Sequence, residues 1–144
     1  MVKRWIVVAE SSRARIFTME GALAPLRELE DLSHPEARLP GRELKSDRSA
    51  RVFRGRGQEN HPGEPNVEPK QQEAIQFARQ ISERLEQART KGEFEGLVLI
   101  APPAFLGLLR QNLSAATEKH LVKSIDKNLV QMSEREIRAY VIGG

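Results

Sequence analysis

The chain is poor in the residues that carry thiol and aromatic chemistry. It has no cysteine among its 144 residues, which excludes disulfides, thiolate metal sites and cysteine nucleophiles. Aromatic residues make up 5% of the chain, with one Trp and one Tyr. Proteins that hold single-stranded nucleic acid by stacking use aromatic rings, so this composition provides poorly for stacking.

Long apolar runs are also missing. The apolar run Trp5–Ala9 ends after five residues at Glu10. A signal peptide needs an apolar stretch of about 7–15 residues, and a membrane-spanning helix needs about 20. We therefore expect a cytoplasmic protein with no membrane partner. The chain length suits one domain covering residues 1–144.

Motifs for catalysis and metal binding are sparse. His34, His61 and His120 lie far apart and show no metal-ligand spacing. Asp47 could act as a metal carboxylate, but two-metal chemistry requires several clustered acids. Ser11–Ser12 is better explained as turn chemistry, and neither standard glycine-rich phosphate loop occurs. The sequence therefore predicts no catalytic residue, no metal and no cofactor, and it favours a binding protein over an enzyme.

Positive charge, by contrast, is concentrated in one segment. Residues 38–58 hold seven basic residues against Glu43 and Asp47, a local charge of +5, whereas the whole chain carries +3. These basic residues are Arg38, Arg42, Lys45, Arg48, Arg51, Arg54 and Arg56. From Arg42 to Arg54 they recur every third residue, so an extended chain with three residues per turn would place them along one edge.

Such an edge could follow a phosphate backbone, and we predict that it binds nucleic acid. A solvated loop, whose arginines pair with nearby acids, is the alternative. Prolines and glycines interrupt residues 34–66 throughout, and this predicts a long loop that is flexible without a partner and is cut first by trypsin.

The remaining sequence alternates between strand and helix signals. Residues 5–9 and 14–19 predict a β-hairpin, and Leu26–Leu32 predicts a third strand, although its leucines would also suit a helical turn. An amphipathic helix is predicted from Pro69 to Lys91 with Gly92 as its stop, followed by a strand buried on both faces at 96–101.

Pro102–Pro103 should end that strand and open a helix, in which Gly107 would permit close packing. Residues 121–125 fit either a last strand or the end of a helix. Ser133 and Glu136 have the spacing of a capping box for a final helix. Together these elements predict an α/β domain, in which helices cover both faces of a mixed β-sheet.

Two stretches, Leu44–Phe53 and Val98–Arg110, together with Pro69–Lys70 leading to Phe77–Ala78, resemble the bacterial family labelled "protein required for attachment to host cells". The residues that carry the resemblance are Ser46, Asp47, Arg48, Pro102, Pro103, Phe105, Gly107 and Arg110. The chain departs from the family pattern at Ser49–Ala50, where Pro-Gly is usual, and at Asn128, where Asp is usual.

That family is similar to the central domain of archaeal and eukaryotic class-one release factors, which has a ribonuclease-H-like fold and presents a Gly-Gly-Gln loop to the ribosome. The resemblance implies that Gly55–Gln58 lies where that loop would be, with Gln58 as a candidate ribosome contact.

From the charge and the resemblance together we expect a cytosolic module that binds RNA or the ribosome through Arg42, Lys45, Arg48, Arg51, Arg54, Arg56 and Gln58, and that affects host attachment indirectly. The alternative is a regulatory domain whose loop becomes ordered on an acidic protein partner.

Overall fold

The computed structural model describes residues 3–33 and 69–143. The strands are β1 Lys3–Glu10, β2 Arg13–Glu20, β3 Arg27–Ser33, β4 Gly96–Ile100 and β5 Leu121–Ile125. The helices are α1 Pro69–Thr90, α2 Pro103–Asn112, α3 Ala115–Glu118 and α4 Glu134–Gly143.

The strands form one mixed sheet in the order β3-β2-β1-β4-β5. Strands β1 and β2 are antiparallel and form the predicted hairpin, with Glu10 opposite Arg13 and Ser11–Ser12 as the turn. Strand β2 is antiparallel to β3, whereas β1 and β5 are both parallel to β4. The strand predicted at Leu26–Leu32 is confirmed as β3 at Arg27–Ser33, and residues 121–125, which the sequence left open, are strand β5, because each pairs with a neighbour as an outermost strand of the sheet.

Each face of the sheet carries its own hydrophobic core. Successive residues of a strand point to opposite faces, so β1 sends Trp5 and Val7 to one side and Ile6 and Val8 to the other. Helices α1 and α2 cover the first side, and α4 with residues 129–130 covers the second. Strand β4 is buried along its whole length, as predicted for a central strand. The α/β fold with helices on both faces is confirmed.

The predicted helix signals lie where the helices begin and end. Gly92, just after α1, has a φ of 69°, the left-handed conformation that glycine adopts most readily. Pro102 caps α2, and Pro103 is its first residue. Before α4, the Glu136 N–H donates to Ser133 Oγ at 3.1 Å, and the Ser133 N–H donates to Glu136 Oε1 at 3.0 Å. These two bonds confirm the capping box.

The role predicted for Gly107 is wrong. The residue is exposed on α2, and a Cβ atom added there would meet no atom of residues 3–33 and 69–143 within 4 Å. Close packing therefore does not require glycine at this position, because the buried side of α2 is formed by Phe105, Leu106 and Leu109 instead.

Candidate functional site

Four strands of the sheet have their carboxyl ends on the same side, where the strands terminate. Since β1, β3, β4 and β5 run in the same direction, Glu10, Ser33, Ile100 and Ile125 end on this side, which we call the carboxyl edge. Open α/β sheets commonly bind ligands outside the carboxyl ends of their strands. Helix α1 also begins here, because its Gln71 lies beside Glu10 in a shared cleft. The chain therefore leaves the sheet at Ser33 and returns at α1 on the same edge.

The cleft between Gln71 and Glu10, which we call the edge cleft, has a volume of about 400 Å³. Its apolar walls are built from Ala74, Pro102, Ala104, Phe105 and Leu108, and its polar groups are Glu10, Ser11 and Gln71. A mostly apolar cavity with a few polar groups is typical of small-ligand sites, which span about 300–1,000 Å³.

The start of α2 fixes the apolar wall of the edge cleft. Pro102 holds an extended conformation with φ −58° and ψ 154°, and its carbonyl accepts the Leu106 N–H at 2.8 Å. Phe105 is 4% exposed and packs on the Phe77 ring with 6.0 Å between centroids. The Pro-Pro-x-Phe part of the family motif therefore shapes this wall, since it sets where α2 begins and anchors it on α1.

Glu10 is the charged group of the edge cleft. Ser12 Oγ donates to its Oε2 at a long 3.5 Å, and within residues 3–33 and 69–143 no donor is bonded to Oε1. A carboxylate with an open oxygen accepts hydrogen bonds from a ligand. No basic residue lines the cleft in the described part of the chain.

Half of the ten arginines in the described part pair with acidic residues of that part. Arg13 pairs with Asp31 at 2.8 Å, and Arg15 pairs with Glu28 at 3.1 Å. Arg84 pairs with Glu30 at 2.9 Å. The hydrogen bonds that the guanidinium groups donate to these carboxylates raise the pKa of Arg13, which bonds to Asp31, and the pKa of Arg84, which bonds to Glu30. Residues 3–33 and 69–143 hold sixteen basic and fourteen acidic residues, so they are close to neutral.

The predicted site residues divide between two regions. The basic residues Arg42, Lys45, Arg48, Arg51, Arg54 and Arg56, together with Gln58, Ser46 and Asp47, lie outside the described residues. Pro102 and Phe105 line the edge cleft. Arg110 instead forms a half-exposed pair with Glu118 at 3.8 Å on the surface.

The departure at Asn128 is explained locally. Its Oδ1 accepts the Val130 N–H at 3.3 Å, in the turn before α4. An aspartate oxygen accepts the same bond, so asparagine preserves this turn.

The cleft residues Glu10, Gln71, Ala74 and Leu108 were not predicted as site residues. They come from separate parts of the chain and share no motif, so no sequence signal could have selected them.

A second polar cluster joins α1 to α3. Glu86 Oε1 accepts Ser114 Oγ at 2.7 Å and Thr117 Oγ1 at 2.8 Å, while Arg89 donates to Oε2 at 2.5 Å. The bond from Arg89, followed by those from Ser114 and Thr117, lowers the pKa of Glu86 from 4.5 to about 2. The same serine caps α3 by accepting the Thr117 N–H. This cluster therefore fastens α3 to α1 through an ionised carboxylate.

Replacing Glu86 with glutamine should make the stability of the protein depend less on pH under acidic conditions. Because the folded-state pKa is lowered, the stabilising contribution of Glu86 is fully present above about pH 4.5 and is lost as the pH falls toward 2. Urea midpoints of the wild type, Glu86→Gln and Glu83→Gln at pH 2.5, 3.5 and 5.5 measure this. Glu83 is an exposed glutamate on the same helix and serves as the control. Equal pH dependence in all three proteins would contradict the assignment.

Residues 3–33 and 69–143 lack both a metal cluster and a membrane-spanning helix. No group of three or more His, Asp or Glu residues there is placed to hold a metal ion. None of the helices in these ranges combines the length and apolar character needed to cross a membrane.

Known proteins that are similar to this chain include one curated relative and two solved structures. The chain is 36% identical over 70 residues to the uncharacterized protein RP470 of Rickettsia prowazekii (strain Madrid E), and the match covers 47% of each protein. It overlaps archaeal translation termination factor aRF1 with a TM-score of 0.47 and 16% identity, covering 98% of this chain and 37% of that one. It also overlaps a structure described as an archaeal protein, with a TM-score of 0.46 and 18% identity, covering 98% and 36%.

The matched part is thus about half of the curated relative and little more than a third of each solved structure, and overlaps of this size do not establish a shared function. A family model described as "Protein required for attachment to host cells" matches residues 5–141. The match covers nearly the whole chain, and the chain belongs to this family, as its Pro-Pro-x-Phe-Leu-Gly segment predicted.

Proposed function

We propose that this member of the host attachment family is a non-catalytic cytosolic module that binds RNA, free or in the ribosome, through residues 38–58. The observation that carries the proposal is the charge distribution. Residues 38–58 carry a charge of +5, while the described part of the chain is nearly neutral. A polyanion is attracted most strongly where several cationic groups can contact it together.

The pairing of the folded arginines supports the same assignment. Arg13, Arg15 and Arg84 each donate to a carboxylate of β3, so they are already neutralised within the protein. Arg138 donates instead to the carbonyl oxygens of Ala22 and Ala24 at 2.8 Å. These arginines are therefore less available to phosphates.

The position of the segment in the chain adds a second support. It follows Ser33 and precedes α1, both of which lie at the carboxyl edge, and the start of α1 lines the edge cleft through Gln71. A nucleic acid bound to the segment would come close to the site that α/β sheets commonly use for ligands.

The salt dependence of RNA affinity tests the proposal. If roughly five basic residues contact a single strand, log affinity should fall with log salt at a slope of about −3.5. The measurement is fluorescence anisotropy of a labelled ten-nucleotide RNA between 50 and 300 mM KCl, with ribosome co-sedimentation at the same salt concentrations. Absence of binding to both at 50 mM KCl, or an affinity independent of salt, would contradict the proposal and favour an acidic protein partner.

A further inference from the structure

The edge cleft cannot bind phosphate well. Its charged residue in the described part of the chain is Glu10, whose carboxylate repels phosphate oxygens, and the walls are largely apolar. The uncharged part of a nucleic acid, its base, has the opposite character, because it combines an apolar face with a hydrogen-bonding rim. A strand whose phosphates lie on residues 38–58 could therefore place a base in the cleft.

The size of the cleft limits what enters. About 400 Å³ lies near the lower end of small-ligand sites and accommodates a single nucleoside. A base inside a duplex is stacked and paired, so the occupant has to come from a single strand, whose bases can turn outward.

Glu10 determines which base fits. An ionised carboxylate only accepts hydrogen bonds. On its Watson–Crick rim, guanine carries two neighbouring N–H donors, N1–H and the N2 amino group, which match the two oxygens of one carboxylate. Adenine and cytosine each place a ring-nitrogen acceptor beside their amino group, and uracil flanks its N3–H with two carbonyls, so these rims would repel one carboxylate oxygen.

We propose that the edge cleft is a base-binding site that selects guanine in single-stranded RNA, with Glu10 as the residue that determines specificity. This inference rests on the proposed RNA-binding function. It assigns the phosphates to residues 38–58 and one base to the cleft, so affinity and base preference depend on different residues.

Two labelled RNAs of equal charge test this inference: a ten-nucleotide oligouridine, and the same strand with one central guanine. The wild type should bind the guanine-containing strand roughly tenfold more tightly, as expected for one good bidentate contact. Glu10→Gln should remove most of that preference, because an amide presents one acceptor and one donor. Ala104→Phe should also remove it, because Ala104 is an exposed residue on the cleft wall and a larger side chain there fills the cavity.

Matched variants control for folding and charge. Glu20→Gln removes the same charge at the end of β2, on the side of the sheet opposite the carboxyl edge. Ala139→Phe introduces the same aromatic ring at an exposed position of α4. Both should keep the preference for guanine, and circular dichroism should show all four variants folded.

The outcomes separate the two proposals. Equal affinity of the wild type for both strands, or a preference that survives Glu10→Gln and Ala104→Phe, would overturn the base site while leaving RNA binding intact. Increased tryptic cleavage within residues 38–58 of Ala104→Phe, with unchanged base preference, would assign the cleft to the chain's own segment and overturn the base site as well. No binding of either strand at 50 mM KCl would overturn both proposals.

Discussion

Changing Arg48, Arg51 and Arg54 together to alanine is expected to weaken RNA binding roughly 100-fold at 0.1 M KCl. Each phosphate contact with a single strand adds about 0.7 to the magnitude of the salt slope, so losing three of five contacts should also flatten the slope from about −3.5 to about −1.4. The loss should be the same for every RNA sequence, because phosphates carry no base information. Anisotropy titrations over a range of salt concentrations measure both quantities.

A second triple variant makes this test specific to the segment. Lys91, Lys119 and Arg135 are exposed basic residues of the described part; Lys91 follows α1, Lys119 follows α3 and Arg135 lies on α4. Changing them to alanine removes the same total charge from the protein. If this variant loses as much affinity as the first, the RNA is bound by the total positive charge of the protein and not specifically by residues 38–58.

Replacing Arg15 with methionine is expected to lower the free energy of unfolding by about 3 kcal/mol. The Arg15 side chain is 12% exposed and binds both oxygens of Glu28 at 3.1 Å. It also donates to the carbonyl oxygens of Val130 at 2.9 Å and Met132 at 2.8 Å, and it lies 5.0 Å from the Phe17 ring. Removing the guanidinium leaves a carboxylate and two carbonyls without their donor, between β3 and the turn before α4.

Arg13 provides the matched control. It lies two residues earlier on the same face of β2 and likewise donates to a carboxylate of β3, but its side chain is 37% exposed. Exposed pairs contribute about 0.2–1 kcal/mol, so Arg13→Met should change stability much less. Urea unfolding of both variants measures the difference. Similar losses of unfolding free energy in the two variants would show that the buried contacts of Arg15 do not stabilise the fold more than an exposed ion pair does.

The sequence was sufficient to predict the elements whose signals are local. Helix α1 has a clear helical period, buried strand β4 is a short continuous apolar run that ends at two prolines, and the Ser133–Glu136 capping box is a short-range pattern. The leucines at 26, 29 and 32 fit two periods, so their assignment depended on pairing with β2, which is a long-range contact. Gly107 misled because glycine in a helix suggests close packing, whereas only the three-dimensional arrangement shows which side faces solvent.

The candidate site was only half predictable for the same reason. Charge in residues 38–58 is visible as composition, since neighbouring residues create it. The edge cleft joins the hairpin turn, the start of α1 and the start of α2, which are far apart in the chain. The sheet topology makes these three segments neighbours, and no spacing in the sequence predicts that they are close in space.

The chain leaves the sheet at Ser33 and returns at α1 on the same carboxyl edge, so the two ends of residues 34–68 are attached at one edge of the sheet. The five strands of the described sheet, in the order β3-β2-β1-β4-β5, all lie outside residues 34–68, and lengthening a flexible connection costs only about 0.6 kcal/mol for each doubling of its length. A segment of different length and charge could be grafted between Ser33 and Pro69 while both cores stay intact.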